Sequence, residues 1–135
     1  MSSTDSKEFD YFAHILLLEE MSWSRCKRKA VSCVVVQWGS QCWVAAHNEQ
    51  PHPDTQCQGG PPGLCGCRHA EMNPNLDLFL DGSTVYVTAS PCLICAQHLV
   101  AAGVSEVVYL EEYRDPRGLE YLRTNDVTVR QYVES

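Results

Sequence analysis

His69 and Glu71, separated by Ala70, and further along the chain Cys92 and Cys95 within Pro91-Cys92-Leu93-Ile94-Cys95, are residues whose types and spacing support chemistry. Zinc takes imidazole nitrogen and thiolate sulfur in a tetrahedral shell, and a catalytic zinc keeps its fourth position for water. His69, Cys92 and Cys95 supply three such ligands. Two thiolates from one short turn reach the same ion when they open a helix, where unpaired N–H groups and the helix dipole also favour negative sulfur. Pro91 suits that position, because it fixes φ and gives up an N–H that has no helical partner. A bound zinc lowers the pKa of its water from about 15.7 toward roughly 7. Glu71, two residues past His69 and not itself a ligand, is then placed to carry a proton from that water to the substrate and later to the leaving group. A lone Cys-x-x-Cys could be a redox pair, and a purely structural zinc explains neither Glu71 nor the missing fourth ligand.

The elements that position these residues follow from periodicity. Phe9, Phe12, Ile15, Leu16 and Leu18 recur at helical spacing, which predicts an amphipathic helix from Glu8 to about Ser24. Ala30 to Gln37 is apolar and β-branched, Gly39-Ser40 turns, and Gln41 to Ala46 returns, which predicts a hairpin. His47 to Arg68 is rich in Pro, Gly and Cys and reads as a long irregular segment. A helix is expected to follow His69. Asp81-Gly82 turns into a strand at Ser83 to Thr88, and Cys92 to Ala102 is a helix stopped by Gly103. Glu106 to Leu110 is a strand, Pro116 to Arg123 a short helix and Asp126 to Arg130 a last strand. This order points to a three-layer α/β domain with a mixed sheet.

At 135 residues the chain is expected to be one domain, 1–135, long enough to bury roughly two thirds of its unfolded surface. Its formal charge of −7 argues against a broad phosphate-backbone footprint, so a nucleic-acid partner is not expected. A small anionic substrate remains compatible if the basic groups are local. No stretch has the apolar length of a signal peptide or membrane span, which predicts a cytoplasmic protein without membrane contact. In a reducing compartment the eight cysteines are expected to be metal ligands or buried thiols; Cys33 and Cys42, in the hairpin, fall in the second group.

In Arg68-His69-Ala70-Glu71-Met72-Asn73, in the run from Val85 to Cys95 and in the run from Ala101 to Tyr109, the chain resembles the cytidine deaminase superfamily, and within it the deoxycytidylate (dCMP) deaminases. The pairing of a His-x-Glu with a Pro-Cys-x-x-Cys is the signature of zinc-dependent base deamination. The resemblance covers nearly the whole chain. It implies a cytidine-deaminase-like α/β/α fold, a five-stranded mixed sheet with helices on both faces whose last two strands run parallel and are joined by a helix, a crossover expected of Pro116 to Arg123. The same resemblance implies hydrolysis of a deoxycytidine nucleotide, dCMP, to the uridine nucleotide and ammonia. It also implies a homo-oligomer, dimer, trimer or hexamer. Free-cytidine deaminases usually carry Cys where this chain has His69, and transfer-RNA adenosine deaminases are usually more basic. A deaminase of transfer RNA or single-stranded nucleic acid is the alternative enzyme, and a non-catalytic zinc-stabilised interaction module the alternative of another class.

The resemblance sets Asn48 toward the sugar of the nucleotide, although the family's Gly-Tyr-Asn-Gly reads Ala46-His47-Asn48-Glu49 here. In some members that glycine-rich loop takes part in triphosphate regulation; the loss of both glycines argues against control by dCTP and dTTP. Arg25, Lys27, Arg28 and Lys29 form the basic cluster of an acidic chain, and the resemblance brings Arg28 or Lys29 to the phosphate. Ala70 and Ser90 are placed at the substrate, with the backbone of Ala89 and Ser90 toward the base. Of the aromatic residues Trp23, Trp38, Trp43, Tyr109, Tyr113 and Tyr121, Tyr113 is selected for the base because it follows the fourth strand. Several family members hold a second, structural zinc, which implies a four-cysteine site of Cys26, Cys57, Cys65 and Cys67, with His47 or His52 able to replace one thiolate. Pro74 departs from the family, which has a helix former there. A proline inside a helix costs about 3 kcal/mol and removes the N–H that would bond Ala70, so a kink or an irregular first turn is expected after His69 and Glu71.

Overall fold

Alternation along the strands builds two cores. Cys33, Val35, Val85, Val87, Val107 and Tyr109 belong to one buried cluster, and their neighbours Val34, Val36, Tyr86 and Val108 to another. Successive side chains of a strand point to opposite faces, so these two sets are the two faces of one sheet. The computed structural model describes residues 3–24, 30–40, 42–49, 69–112 and 115–133. Its strands are β1 (Ser32–Gln37), β2 (Cys42–His47), β3 (Ser83–Ala89), β4 (Glu106–Glu111) and β5 (Thr128–Gln131), and its α-helices α1 (Ser3–Met21), α2 (Leu93–Ala101) and α3 (Arg117–Thr124).

The sheet order is β2-β1-β3-β4-β5. β1 pairs antiparallel with β2 and β3, whereas β3–β4 and β4–β5 are parallel. Register places Val35 beside Val85, Val85 beside Val107 and Val107 beside Val129, a continuous apolar row under α2 and α3. All seven residues of β3 are buried, as expected of a central strand covered on both faces. The parallel steps need crossovers, and α2 and α3 supply them. Ala13 and Leu17 of α1 pack on the opposite face with Val34, Val36, Tyr86 and Val108. The mixed five-stranded sheet with helices on both faces agrees with the expectation.

Several details differ from it. α1 begins five residues earlier than Glu8, at Ser3, and its inward residues are Ala13 and Leu17, with Phe12, Ile15 and Leu18 about half exposed. Asp10 is also turned inward: Tyr86 Oη donates to it at 3.0 Å, and Arg130 binds both its oxygens at 2.7 and 2.8 Å. Cys42, expected to be buried, opens the edge strand β2 and is exposed; Cys33 is fully buried. The segment after His69 is two 3-10 turns, Ala70–Met72 and Pro74–Phe79, in place of an α-helix. Between them Asn73 is extended, φ −66° and ψ 124°, because the residue before a proline is driven out of the helical region.

Both crossover helices end alike. In α2 the Gly103 N–H bonds Val100 O and the Val104 N–H bonds Leu99 O, with Gly103 at φ 86°. In α3 Asp126 bonds Arg123 O and Val127 bonds Leu122 O, with Asp126 at φ 66°. These are paired closing bonds around a left-handed residue. Asp126, expected to open the last strand, belongs to this turn, and β5 starts at Thr128.

Candidate active site

The parallel strand β3 ends at Ala89, and Ser90 and Pro91 lead from its carboxyl end into α2, the edge of an open α/β sheet where ligands bind. Cys92 caps α2, and Cys95 lies one turn in, fully buried. His69, extended at φ −64° and ψ 149°, starts the Ala70–Met72 turn, which packs against β1, β2 and α2. His69 Nδ1 lies 3.2 Å from Cys95 Sγ and 3.6 Å from Cys92 Sγ. The three donor atoms lie within 4.8 Å of one another. A tetrahedral zinc with Zn–N of about 2.1 Å and Zn–S of about 2.3 Å sets N and S roughly 3.6 Å apart. The geometry and the donor set therefore fit a zinc ion held by His69 Nδ1, Cys92 and Cys95.

Glu71 is 4% exposed beside these donors. Burial pushes its carboxyl up from 4.5 to about 7, against the pull of a backbone N–H bond and of His69. The thiol pair is polarised: the hydrogen bond from Cys95 holds Cys92 down to about 4, with His69 adding to it, while the same bond and burial push Cys95 up. Below them Cys33 is raised first by burial and then by the charge of Glu71, so its thiol stays neutral.

A cleft of about 390 Å³, open to solvent, has His69, Ala70, Glu71, Asn48, Ala89, Ser90 and Cys92 in its walls, with Val31 completing them. The sequence-predicted Ala70, Asn48 and Ser90 thus meet the metal-ligand group in one site. Asn48 has a second duty: its Oδ1 accepts from the Val31 N–H at 3.0 Å and from the Ser24 hydroxyl, and its own N–H donates to Val31 O at 2.9 Å. Ser90 lines the cleft, but its N–H is given to Glu111 O at 3.0 Å, so that donor does not face a base. Trp38 donates Nε1–H to Thr84 and Tyr109 is core, and no Phe, Tyr or Trp is among the described residues of the wall. Arg28, Lys29, Tyr113, Cys26, Cys57, Cys65, Cys67 and His52 lie outside the described residues. His47, named as a substitute ligand, has Nδ1 bonded to Glu20 and Nε2 3.8 Å from Glu49.

Gly118, which drew no attention in the sequence, supports the thiolate turn. A Cβ there would stand 1.9 Å from Pro91 O, so the first turn of α3 lies directly on Pro91-Cys92. A glycine inside a short, otherwise ordinary helical segment was the signal available.

The family model described as the cytidine and deoxycytidylate deaminase zinc-binding region matches residues 6–111. The deoxycytidylate deaminase of Saccharomyces cerevisiae is 35% identical over 140 residues, covering 90% of this chain and 44% of its own length. That of Mycobacterium phage D29 is 32% identical over 110 residues, covering 66% of this chain and 84% of its own. The crystal structure of the dCMP deaminase of cyanophage S-TIM5, in complex with dCMP and dUMP, is 25% identical with a TM-score of 0.73, covering 98% of this chain and 99% of that one. This chain, which spans less than half the length of the yeast protein, belongs to the cytidine and deoxycytidylate deaminase family, whose metal is zinc.

Proposed function

We propose that residues 1–135 form a single deaminase domain that hydrolyses the exocyclic amine of dCMP to give dUMP and ammonia. The observation that carries this reading is the convergence of His69 Nδ1, Cys92 Sγ and Cys95 Sγ beside a buried Glu71 on the wall of one cleft. The likeness to proteins named deoxycytidylate deaminases supports the substrate. His69, Cys92 and Cys95 would hold zinc, which would supply an acidified water at neutral pH. Glu71 would take a proton from the attacking water, pass it to the ring nitrogen and return one to the departing ammonia; burial leaves its carboxyl able to do both near pH 7. Ala70 and Asn48 shape the wall around the base and sugar, and Ser90 does so without its N–H. Arg28 or Lys29 meets the phosphate and Tyr113 the base. Cys26, Cys57, Cys65 and Cys67 hold a second, structural zinc.

The charge of −7 favours a free nucleotide over a polymer. No described helix is long and apolar enough to cross a membrane, and the protein works in the cytoplasm as a homo-oligomer, a dimer, trimer or hexamer. The test is ultraviolet-monitored deamination of dCMP, dCTP, deoxycytidine and adenosine-containing RNA side by side. Turnover of dCMP alone, or well ahead of the others, is expected; turnover of RNA only, or of nothing, overturns the reading.

A further inference from the structure

The turn that carries His69 and Glu71 does not hold itself. An α-helix locks its residues with a ladder of i to i−4 bonds, but Ala70–Met72 has only the one-turn bonds Met72 N–H to His69 O, 3.0 Å, and Asn73 N–H to Ala70 O, 3.2 Å. Pro74 has no N–H to continue them. The orientation of the turn therefore depends on its packing against β1, β2 and α2 and on what holds Asn73, the extended residue that closes it. Asn73 is 6% exposed. Its Oδ1 accepts the Asn75 N–H at 3.0 Å, and its Nδ2 donates to Glu49 Oε1 at 3.2 Å. The first bond is local and travels with the segment. The second runs to a different element.

Glu49 is itself braced. It follows β2 directly after Asn48 of the cleft wall, its Oε2 lies 3.8 Å from His47 Nε2, and His47 Nδ1 is bonded to Glu20 on α1. A polar chain Glu20–His47–Glu49–Asn73 thus ties α1 and the end of β2 to the turn. Glycine could offer no such carboxylate at position 49.

We propose that Glu49 is a positioning residue: through Asn73 it fixes the Ala70–Met72 turn, and so the aim of His69 and Glu71, against the cleft wall. This rests on the reading of those two residues as the reaction centre. The test compares Glu49→Ala with Glu49→Gln, in which an amide oxygen still accepts from Asn73. Two readouts are taken, steady-state kinetics on dCMP and hydrogen exchange of the Met72 and Asn73 amides. Misplacement of reacting groups costs turnover more than binding, so Glu49→Ala is expected to lower kcat about tenfold or more with KM within about twofold. Exchange at both amides should speed up, and Glu49→Gln should recover both. Should Glu49→Ala not fold, Asn73→Asp breaks the same contact from the other side by facing two carboxylates, and adding Glu49→Gln returns a donor and rescues it. Unchanged exchange and kcat in Glu49→Ala, or a loss that glutamine fails to restore, overturns the proposal. A wild-type protein inactive on every nucleotide sinks the substrate reading instead, and amide exchange still decides the tether.

Discussion

Glu71 is a carboxyl that burial holds near pH 7, beside two sulfurs and an imidazole suited to zinc. A general acid–base works best when its pKa lies near the operating pH. Glu71→Gln keeps the shape of the side chain and removes the proton transfer, so kcat on dCMP is expected to fall by about 10² to 10⁴-fold. Zinc content, measured on the purified variant, should stay at the wild-type value because none of the three donors is changed. Retained turnover would take Glu71 out of the mechanism. These residues were legible in the sequence because metal chemistry restricts residue type and spacing together. Asn48 was legible as a wall residue but not as the acceptor for Val31 and Ser24, since a side chain's partners across the fold leave no local pattern.

At the scale of the element, the apolar, β-branched runs of the strands and the glycine that stops α2 were readable because each is a local property of the chain. The segment after His69 was harder. The sequence predicts a helix with a kink or an irregular first turn at Pro74; the irregular turn is present, but Pro74 drives Asn73 extended and two 3-10 turns replace the helix altogether. Asp126 misled for the reverse reason: it takes the left-handed position that glycine announces at Gly103. Contact between elements was the least legible. Gly118 shows no motif, yet α3 rests on the Pro91-Cys92 backbone through it. Gly118→Ala would place a methyl 1.9 Å from Pro91 O, and a backbone atom cannot swing aside as a side-chain tip does. The turn and α3 must separate. Overpacking of this kind costs typically 1–3 kcal/mol, and here the strain falls on Cys92, a proposed zinc ligand. Zinc should therefore leave the variant for a chelator faster than it leaves wild type, together with a lower Tm. Equal release rates would show that α3 yields and the thiolate turn does not.

Across the whole molecule the sheet separates two kinds of polar interior. One face carries the cleft. On the other, Arg130 of β5 binds Asp10 of α1 at 2.7 and 2.8 Å and Glu106 of β4 at 3.0 Å, while Tyr86 of β3 donates to Asp10. Residues 120 positions apart are joined, and three strands are bound to one helix. The guanidinium is held charged, first by its bond to Asp10. Asp10→Ala leaves Arg130 and the Tyr86 hydroxyl without that acceptor. Asp10 is about nine-tenths buried, so screening is limited, and hydrogen bonds to charged groups contribute about 1.5–3 kcal/mol each. Alanine should lower stability by about 2–3 kcal/mol, near the range of one charged bond because Glu106 still pairs Arg130. In a chain of this size that is roughly 6–12 °C in Tm. The cleft lies across β1 and β3 from this network, and the end of α1 is fixed independently where the Ser32 hydroxyl bonds Leu17 O at 2.6 Å. At temperatures well below the new Tm, kcat on dCMP and zinc content should therefore match wild type. A fall in kcat parallel to the loss of Tm would mean that the docking of α1 reaches the catalytic face, through Glu20 and His47 or through Ser24 and Asn48, the described bonds that run from this helix and its end toward the cleft.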